Sequence, residues 1–389
     1  MLTLIKNGEV YAPHYLGKKD LLIVDKKIGY TADEINAPAD FVEIKVIDAT
    51  DKYVVPGFID SHVHILGGGG EGSYKTRTPE IMLTDITTGG VTTVIGCLGT
   101  DGTTRKMENL IAKARGLEEE GVSTYIYTGS YQVPVRTLTG DIIDDLILID
   151  KVIGVGEIAL SDHRSSQPTL EDVTKIAAAS RVGGILSGKA GVVNIHVGDG
   201  KRRLDYLEEI VENTEIPITQ FLPTHINRNQ ELFVVGIDYA KKGGFVDLTT
   251  SIDATIASSA ISCSQGLKQM LDAGVSIDNI TFSSDGQGSI PVFDEKGQLL
   301  GLGVGKLTSL FGEVKASVQN EGVSLEDGLK VITSNPARIL KLQNKGLVQE
   351  GKDADLVLLT KDTLEVDTVI AMGQVMIENK EIKVKGTFE

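Results

Sequence analysis

Six histidines occur in this 389-residue chain, and four of them close apolar runs: His62 and His64 in "PGFIDSHVH", His196 in "NIHVGDG" and His225 in "LPTHINRN". Two carboxylates belong to the same pattern. Glu157 lies inside "VIGVGEIAL", an almost unbroken apolar stretch, and Asp285 ends the run that leads into "SSDGQGS". Neutral imidazoles and carboxylates are the donors that zinc and similar divalent transition metals take. A carboxylate in a buried strand needs a partner charge or a metal, because losing its hydration uncompensated costs several kcal/mol. His62 and His64 are two residues apart, and the two-residue period of a strand sends both side chains to one side. Glu157 falls between the two histidine groups in chain order, where a carboxylate can reach two metal ions at once. Two ions sharing an oxygen bridge would make a hydroxide nucleophile at neutral pH.

These residues need a scaffold that gathers strand ends. Apolar, β-branched runs recur at 54–64, 91–97, 123–130, 151–160, 191–197, 217–225, 245–250 and 280–285, separated by helical patterns such as "ENLIAKARGLEEEG" and "LDYLEEIVENTE". Eight strand–helix units predict an α/β chain of the (β/α)8 TIM-barrel kind, whose active site sits at the C-terminal ends of its strands. The ends of the chain read differently. Residues 1–50 and 346–389 carry short strands and turn chemistry ("KNGEVYAP", "DKKIGY", "GKDADLVLLT"). They predict a small β-sandwich-like domain built from both termini around a barrel at 51–345, with one helix at 324–342 connecting the two.

Composition narrows the function. A net charge of −16, from 54 acidic and 38 basic residues, argues against a nucleic-acid or anionic-membrane surface. No apolar run reaches the ~20 residues of a membrane span. The start "MLTLIKNGEV" has no export pattern, and the expected location is the cytoplasm. Cys97 and Cys263 show no motif spacing and read as small buried residues. The "GGGGEG" loop at 67–72 lacks the ending of a phosphate loop; its glycines, Gly69 among them, let backbone N–H groups approach a ligand and allow Glu71 to be aimed inward.

The motifs quoted above, with "SNPARIL" and "GKDADLVLL" near the C-terminus, resemble the amidohydrolase superfamily. The loops are most similar to those of isoaspartyl dipeptidases: "HVHILGGGGEG", "LGTDG", "TGSYQVP", "SDHRSS" and "THINRN". The resemblance implies two zinc ions, one held by His62, His64 and Asp285 and the other by His196 and His225. In much of the family a carboxylated lysine bridges them. Here the matching position, six residues before His163, is Glu157, and Lys151 stands ~20 Å away along the strand. Glutamate has a shorter arm, so either the metals or the strand must shift to meet it.

The resemblance further implies that Glu71 holds the α-ammonium of a small β-aspartyl dipeptide and that Arg164 and Arg228 bind carboxylates. Thr100 and Ser289 would add hydroxyls, Tyr131 would stabilise the oxyanion, and Asp285 would act as general base and then acid. His163 matches no ligand position and is expected either to support the ligands from behind or to be structural; His14 is expected at the surface. A homo-oligomer, as large as an octamer, is also implied. Two other readings stand beside this one: a cyclic amidase of the dihydroorotase or hydantoinase type, and a barrel that has lost its metals and serves as an assembly scaffold.

Overall fold

The computed structural model describes residues 2–37, 42–252, 259–293 and 299–389. The chain opens with five short strands, β1 (Leu2–Tyr11), β2 (Tyr15–Val24), β3 (Lys27–Ala32), β4 (Ile44–Asp48) and β5 (Lys52–Pro56). Eight parallel strands follow: β6 (Phe58–Val63), β7 (Val91–Gly96), β8 (Ser123–Thr128), β9 (Val152–Leu160), β10 (Val192–Val197), β11 (Phe221–Thr224), β12 (Val246–Thr249) and β13 (Ile280–Ser283). A hairpin, β14 (Ser289–Phe293) and β15 (Leu299–Val304), precedes the last four strands, β16 (Leu356–Thr360), β17 (Val366–Ala371), β18 (Gln374–Glu378) and β19 (Glu381–Ile382).

Each of the eight runs expected from the sequence thus contains a parallel strand. Their residues are buried nearly throughout, which is why the sequence shows continuous apolar runs and no alternation. β6 to β11 form one six-stranded ladder, and β12 pairs with β13. β6 is bridged to the segment that follows β13, and at their other ends β6 and β13 bond to one common segment. Val63 bridges Gly286, and His64 N–H donates to the Gly286 carbonyl at 2.9 Å. At the other end Ile59 and Phe282 donate to the carbonyls of Ile332 and Val331, at 2.8 and 3.0 Å. Helices alternate with the strands: α1 (Leu83–Thr87), α2 (Met107–Glu119), α3 (Ile142–Leu148), α4 (Leu170–Ser187), α5 (Asp205–Asn213), α6 (Gln230–Lys241), α7 (Cys263–Asp272) and α8 (Thr308–Asn320).

Two expectations are corrected. The run 54–64 is not one strand. It divides at Gly57: Lys52–Pro56 pairs with β1 and β16, and only Phe58–Val63 joins the parallel ladder. A Cβ on Gly57 would lie 2.3 Å from Thr92 Oγ1, so only glycine lets the chain pass between the two sheets. The single helix expected over 324–342 is also broken, into α9 (Leu325–Lys330) and α10 (Ser334–Ile339). The break at 331–333 frees the two carbonyls that accept from Ile59 and Phe282, and Pro336 sits in the first turn of α10, where its missing N–H costs nothing.

Both ends of the chain share one nine-stranded sheet, in the order β19-β18-β17-β16-β5-β1-β2-β3, with β4 also paired to β1. Its apolar side chains, Ile5, Leu21, Ile23, Val54, Leu356 and Leu358 among them, pack into a core of their own. Lys345, buried in the segment before β16, ties this sheet to the parallel strands. It contacts Asp353, Asp355 and, at the start of β8, Ser123.

Candidate active site

β6 delivers His62 and His64 to the floor of a cleft, and the backbone bond from His64 N–H to Gly286 draws Asp285 in beside them. Asp285 takes a left-handed backbone, φ 52°, and its Oδ1 lies 3.0 Å from His64 Nε2 and 3.6 Å from His62 Nε2. β10 ends in His196, and His225 follows β11 with φ 64°.

Glu157 stands between the two groups. Its Oε2 is 3.4 Å from His62 Nε2, 3.2 Å from His196 Nδ1 and 3.8 Å from His225 Nε2, while Oε1 is 3.5 Å from His64 Nε2. The pairing of β9 with β10 is irregular at this point. Val155 pairs with Val193 but Ile158 pairs with Ile195, so β9 spends one more residue than β10 across Glu157. Such a bulge re-aims a side chain, here the shorter arm of a glutamate toward the histidines.

The charge balance of this floor suits a cation. Burial alone would raise the Glu157 carboxyl, yet His62 and the neighbouring imidazoles hold it well below the usual carboxylate range. Burial opposes protonation of His62 and His64, but Cys97 and Glu157 raise His62, and Cys97 and Asp285 raise His64, well above the ordinary value. A divalent cation supplies the same compensation as those protons. Burial pushes His225 down to about 3, leaving a neutral imidazole. Both ring nitrogens of His62, Glu157 Oε1 and Asp285 Oδ1 are buried without a hydrogen bond, a condition folded proteins rarely tolerate and one that metal coordination relieves. Donor atoms of His62, His64, Cys97 and Glu157, and of Glu157, His196 and His225, lie within 4.8 Å of one another. The residues present therefore fit a metal, with Glu157 common to both groups.

The remaining ring nitrogens are oriented from outside. His196 Nε2 is 3.0 Å from Asp162 Oδ2, and His225 Nδ1 is 2.7 Å from Thr249 Oγ1, which turns His196 Nδ1 and His225 Nε2 toward Glu157. Cys97 Sγ lies 3.8 Å from His64 Nδ1.

The cleft above this floor has a volume of about 330 Å³. At its mouth Glu71 Oε1 accepts from Thr100 Oγ1 at 2.9 Å and is 3.3 Å from Arg164 Nη1. The Tyr131 hydroxyl is 2.7 Å from His196 Nδ1, and burial keeps it protonated, well above the ordinary phenol value. Arg228 lines the cleft with its Nε buried and without a hydrogen bond. Ser289 abuts Gly69, where a Cβ would come within 2.9 Å of the serine Cβ and φ is +67°. The structure thus brings together every ligand and substrate-contact residue expected from the sequence.

A model of the amidohydrolase family matches residues 53–376. The chain belongs to the amidohydrolase family. Among solved amidohydrolases, two structures of β-aspartyl dipeptidase from Fervidobacterium islandicum AW-1 are 48% and 46% identical to it. Each covers 98% of this chain, over 98% and 99% of their own, with TM-scores of 0.91 and 0.89, and the first holds a β-Asp-Leu dipeptide. The resemblance to isoaspartyl dipeptidases read from the loops is upheld. A dihydroorotase from Lactobacillus gasseri is 24% identical over 92% of this chain and 89% of its own, and a D-hydantoinase, 18% identical with a TM-score of 0.68, shares the α/β fold over 100% of this chain and 97% of its own.

Within this amidohydrolase site, sequence reasoning missed three contacts. Asp162 grips both His196 and Arg164. Arg105, buried, donates to the carbonyls of Leu66, Gly68 and Thr78 at 3.0, 2.9 and 3.2 Å and so fixes the glycine loop that carries Glu71. Cys97, read as a small buried residue, is buried but lies against His64, a candidate ligand. Asp162 had a legible signal, its place between a strand end and Arg164 in "SDHRSS"; Arg105 and Cys97 had none. His163, expected to support the ligands from behind or to be structural, turns to solvent with its side chain 83% exposed.

Proposed function

We propose that this amidohydrolase is a metal-dependent dipeptidase that hydrolyses β-aspartyl dipeptides to aspartate and a free amino acid. The observation that carries this reading is the stacking of a His, Glu and Asp cluster beneath a mouth where Glu71 stands beside Thr100 and Arg164 while Arg228 keeps a buried donor unused. An ammonium suits the first position and carboxylates the arginines. The dipeptidase 48% identical to this chain was solved with β-Asp-Leu, which supports the same substrate class here.

His62, His64 and Asp285 would hold one zinc ion and His196 and His225 a second, with Glu157 bridging them in place of a carboxylated lysine. Such ions would make water a nucleophile at neutral pH and polarise the scissile carbonyl. Asp285 takes the proton of that water and passes it to the leaving amine. With His196 Nδ1 given to a metal, the Tyr131 hydroxyl would be free to donate to the developing oxyanion. Glu71 holds the α-ammonium, Arg164 and Arg228 the carboxylates, and Gly69, Thr100 and Ser289 complete the rim.

The same reading takes the eight parallel strands as one closed barrel over 51–345 and the shared terminal sheet, 1–50 with 346–389, as a separate small domain. It places the enzyme in the cytoplasm; among the described residues no helix is long and apolar enough to cross a membrane. Self-association is supported by the exposed apolar side chains of Leu148 on α3 and of Ile185 and Leu186 on α4, two helices that pack together.

The test is an assay of purified protein on β-Asp-Leu together with metal analysis. Hydrolysis that disappears on chelation and returns with zinc is expected. Preference for dihydroorotate or a hydantoin would replace this reading with the cyclic amidase that the dihydroorotase likeness suggests, and protein without bound metal would favour the scaffold.

A further inference from the structure

Asp162 belongs to neither the ligand set nor the substrate rim, yet it touches both. Its side chain is 5% exposed. Oδ2 lies 3.0 Å from His196 Nε2 and accepts from Arg164 Nη2 at 2.8 Å. Oδ1 accepts from Arg164 Nε at 3.0 Å and from the Arg164 backbone N–H at 2.7 Å. Among the described residues the exposed His163 also approaches, its Nδ1 3.4 Å from Oδ1. A single buried carboxylate is therefore divided between an imidazole that faces Glu157 and a guanidinium that reaches Glu71.

We infer that Asp162 is a positioning residue that makes metal binding and substrate binding reinforce each other. The inference rests on the proposed roles of His196 and Arg164. A carboxylate that accepts the N–H of a metal-bound imidazole fixes its tautomer and raises its basicity, and loss of such a partner typically costs 10–100-fold in metal affinity. Arg164 competes for that same negative charge through a bidentate fork. When Arg164 turns part of its charge to a substrate carboxylate, Asp162 becomes a better acceptor for His196, and the imidazole a stronger ligand. Linkage requires the reverse as well: a bound metal, by polarising His196, draws Asp162 toward it and leaves Arg164 freer for substrate.

The test measures zinc affinity of the full chain by competition with a chromophoric chelator, with and without saturating aspartate, after correction for zinc bound by free aspartate. In the wild type, aspartate should tighten zinc about fivefold, the low end of common coupling. Asp162→Asn should weaken zinc about 10–100-fold, raise KM for β-Asp-Leu and abolish the aspartate effect. Arg164→Gln keeps the inference testable if the first variant folds poorly. It should bind zinc at least as tightly as the aspartate-bound wild type and ignore aspartate, whereas a merely structural pair would lose zinc when either member is removed. An aspartate effect that survives in Asp162→Asn means aspartate binds the metal directly and overturns the inference, as does loss of zinc in Arg164→Gln. A wild type that hydrolyses no β-Asp-Leu, or binds no zinc, sinks the functional reading itself.

Discussion

Glu157 Oε2 and His196 Nδ1 stand 3.2 Å apart across the bulge in β9, while the other oxygen of the same carboxylate faces His64. One side chain therefore joins two groups of candidate ligands that come from opposite halves of the parallel strands. Glu157→Ala should lose at least one zinc per chain and nearly all hydrolysis. Because no lysine needs carboxylation, wild-type activity should be indifferent to bicarbonate. Two zinc ions retained by the variant, measured by metal analysis, would remove the bridging role.

Asp285 is both a candidate ligand and the candidate proton shuttle. In Asp285→Asn an oxygen remains for the metal but the basic carboxylate is gone. The turnover number should fall by at least ~10²-fold, the usual weight of general acid–base catalysis, while metal content falls less. Near-normal kcat would take Asp285 out of the proton transfers.

Glu71 should set the isomer preference. In a β-aspartyl dipeptide the ammonium lies one carbon further from the scissile amide than in the α-isomer, and the proposed site assigns that ammonium to Glu71. On the proposed role of Glu71, loss of that pairing in the α-isomer predicts that β-Asp-Leu is cleaved at least ~100-fold more efficiently than α-Asp-Leu, about 2.7 kcal/mol in rate. Glu71→Gln should narrow the gap by slowing the β-isomer. Equal kcat/KM for both isomers in the wild type is the result that contradicts this.

Lys345 offers a test of stability away from the chemistry. It is buried, with Asp353 at 2.8 Å and Asp355 and Ser123 as further partners. Burial would lower its pKa, but Asp355 and Asp353 raise it, and Lys345 in turn holds the half-buried Asp353 below the usual range. The lysine's contribution is fully present below its unfolded pKa and is lost only as pH rises through the raised value. That of Asp353 is present above its unfolded pKa and is lost as pH falls through the depressed one. Lys345→Met should therefore destabilise by about 3–5 kcal/mol at neutral pH, the cost of orphaning a buried charge, and the deficit should shrink in acid below about pH 4. Denaturant melts at pH 7 and pH 3 decide; an equal deficit at both would mean that packing, not charge, is lost.

How much of this was legible follows from what each residue does locally. The parallel strands announced themselves because burial on both faces demands β-branched runs, and the histidines because they close those runs. Gly57 did not: an apolar run gives no sign of which sheet its two halves join, and the decision lies with partners such as Thr92. The break in 324–342 was hidden for a similar reason, since the carbonyls of Val331 and Ile332 leave the helix only because Phe282 and Ile59 are there to donate to them. The bulge that carries Glu157 to its histidines is set by register against β10, which one strand's sequence does not contain.

The split at Gly57 also bears on the order in which the protein can be finished. β6, with its two histidines, is the direct continuation of β5, and β5 is flanked by β1 on one side and by β16 on the other. A ribosome delivers His62 and His64 early and Val357, the partner of Val55, hundreds of residues later. Closing so long a loop is slow, and until it closes the rear of the histidine strand has a free edge. Assembly of the candidate metal site should therefore wait on the C-terminal strands, and damage to those strands should surface first as a failure to take up metal.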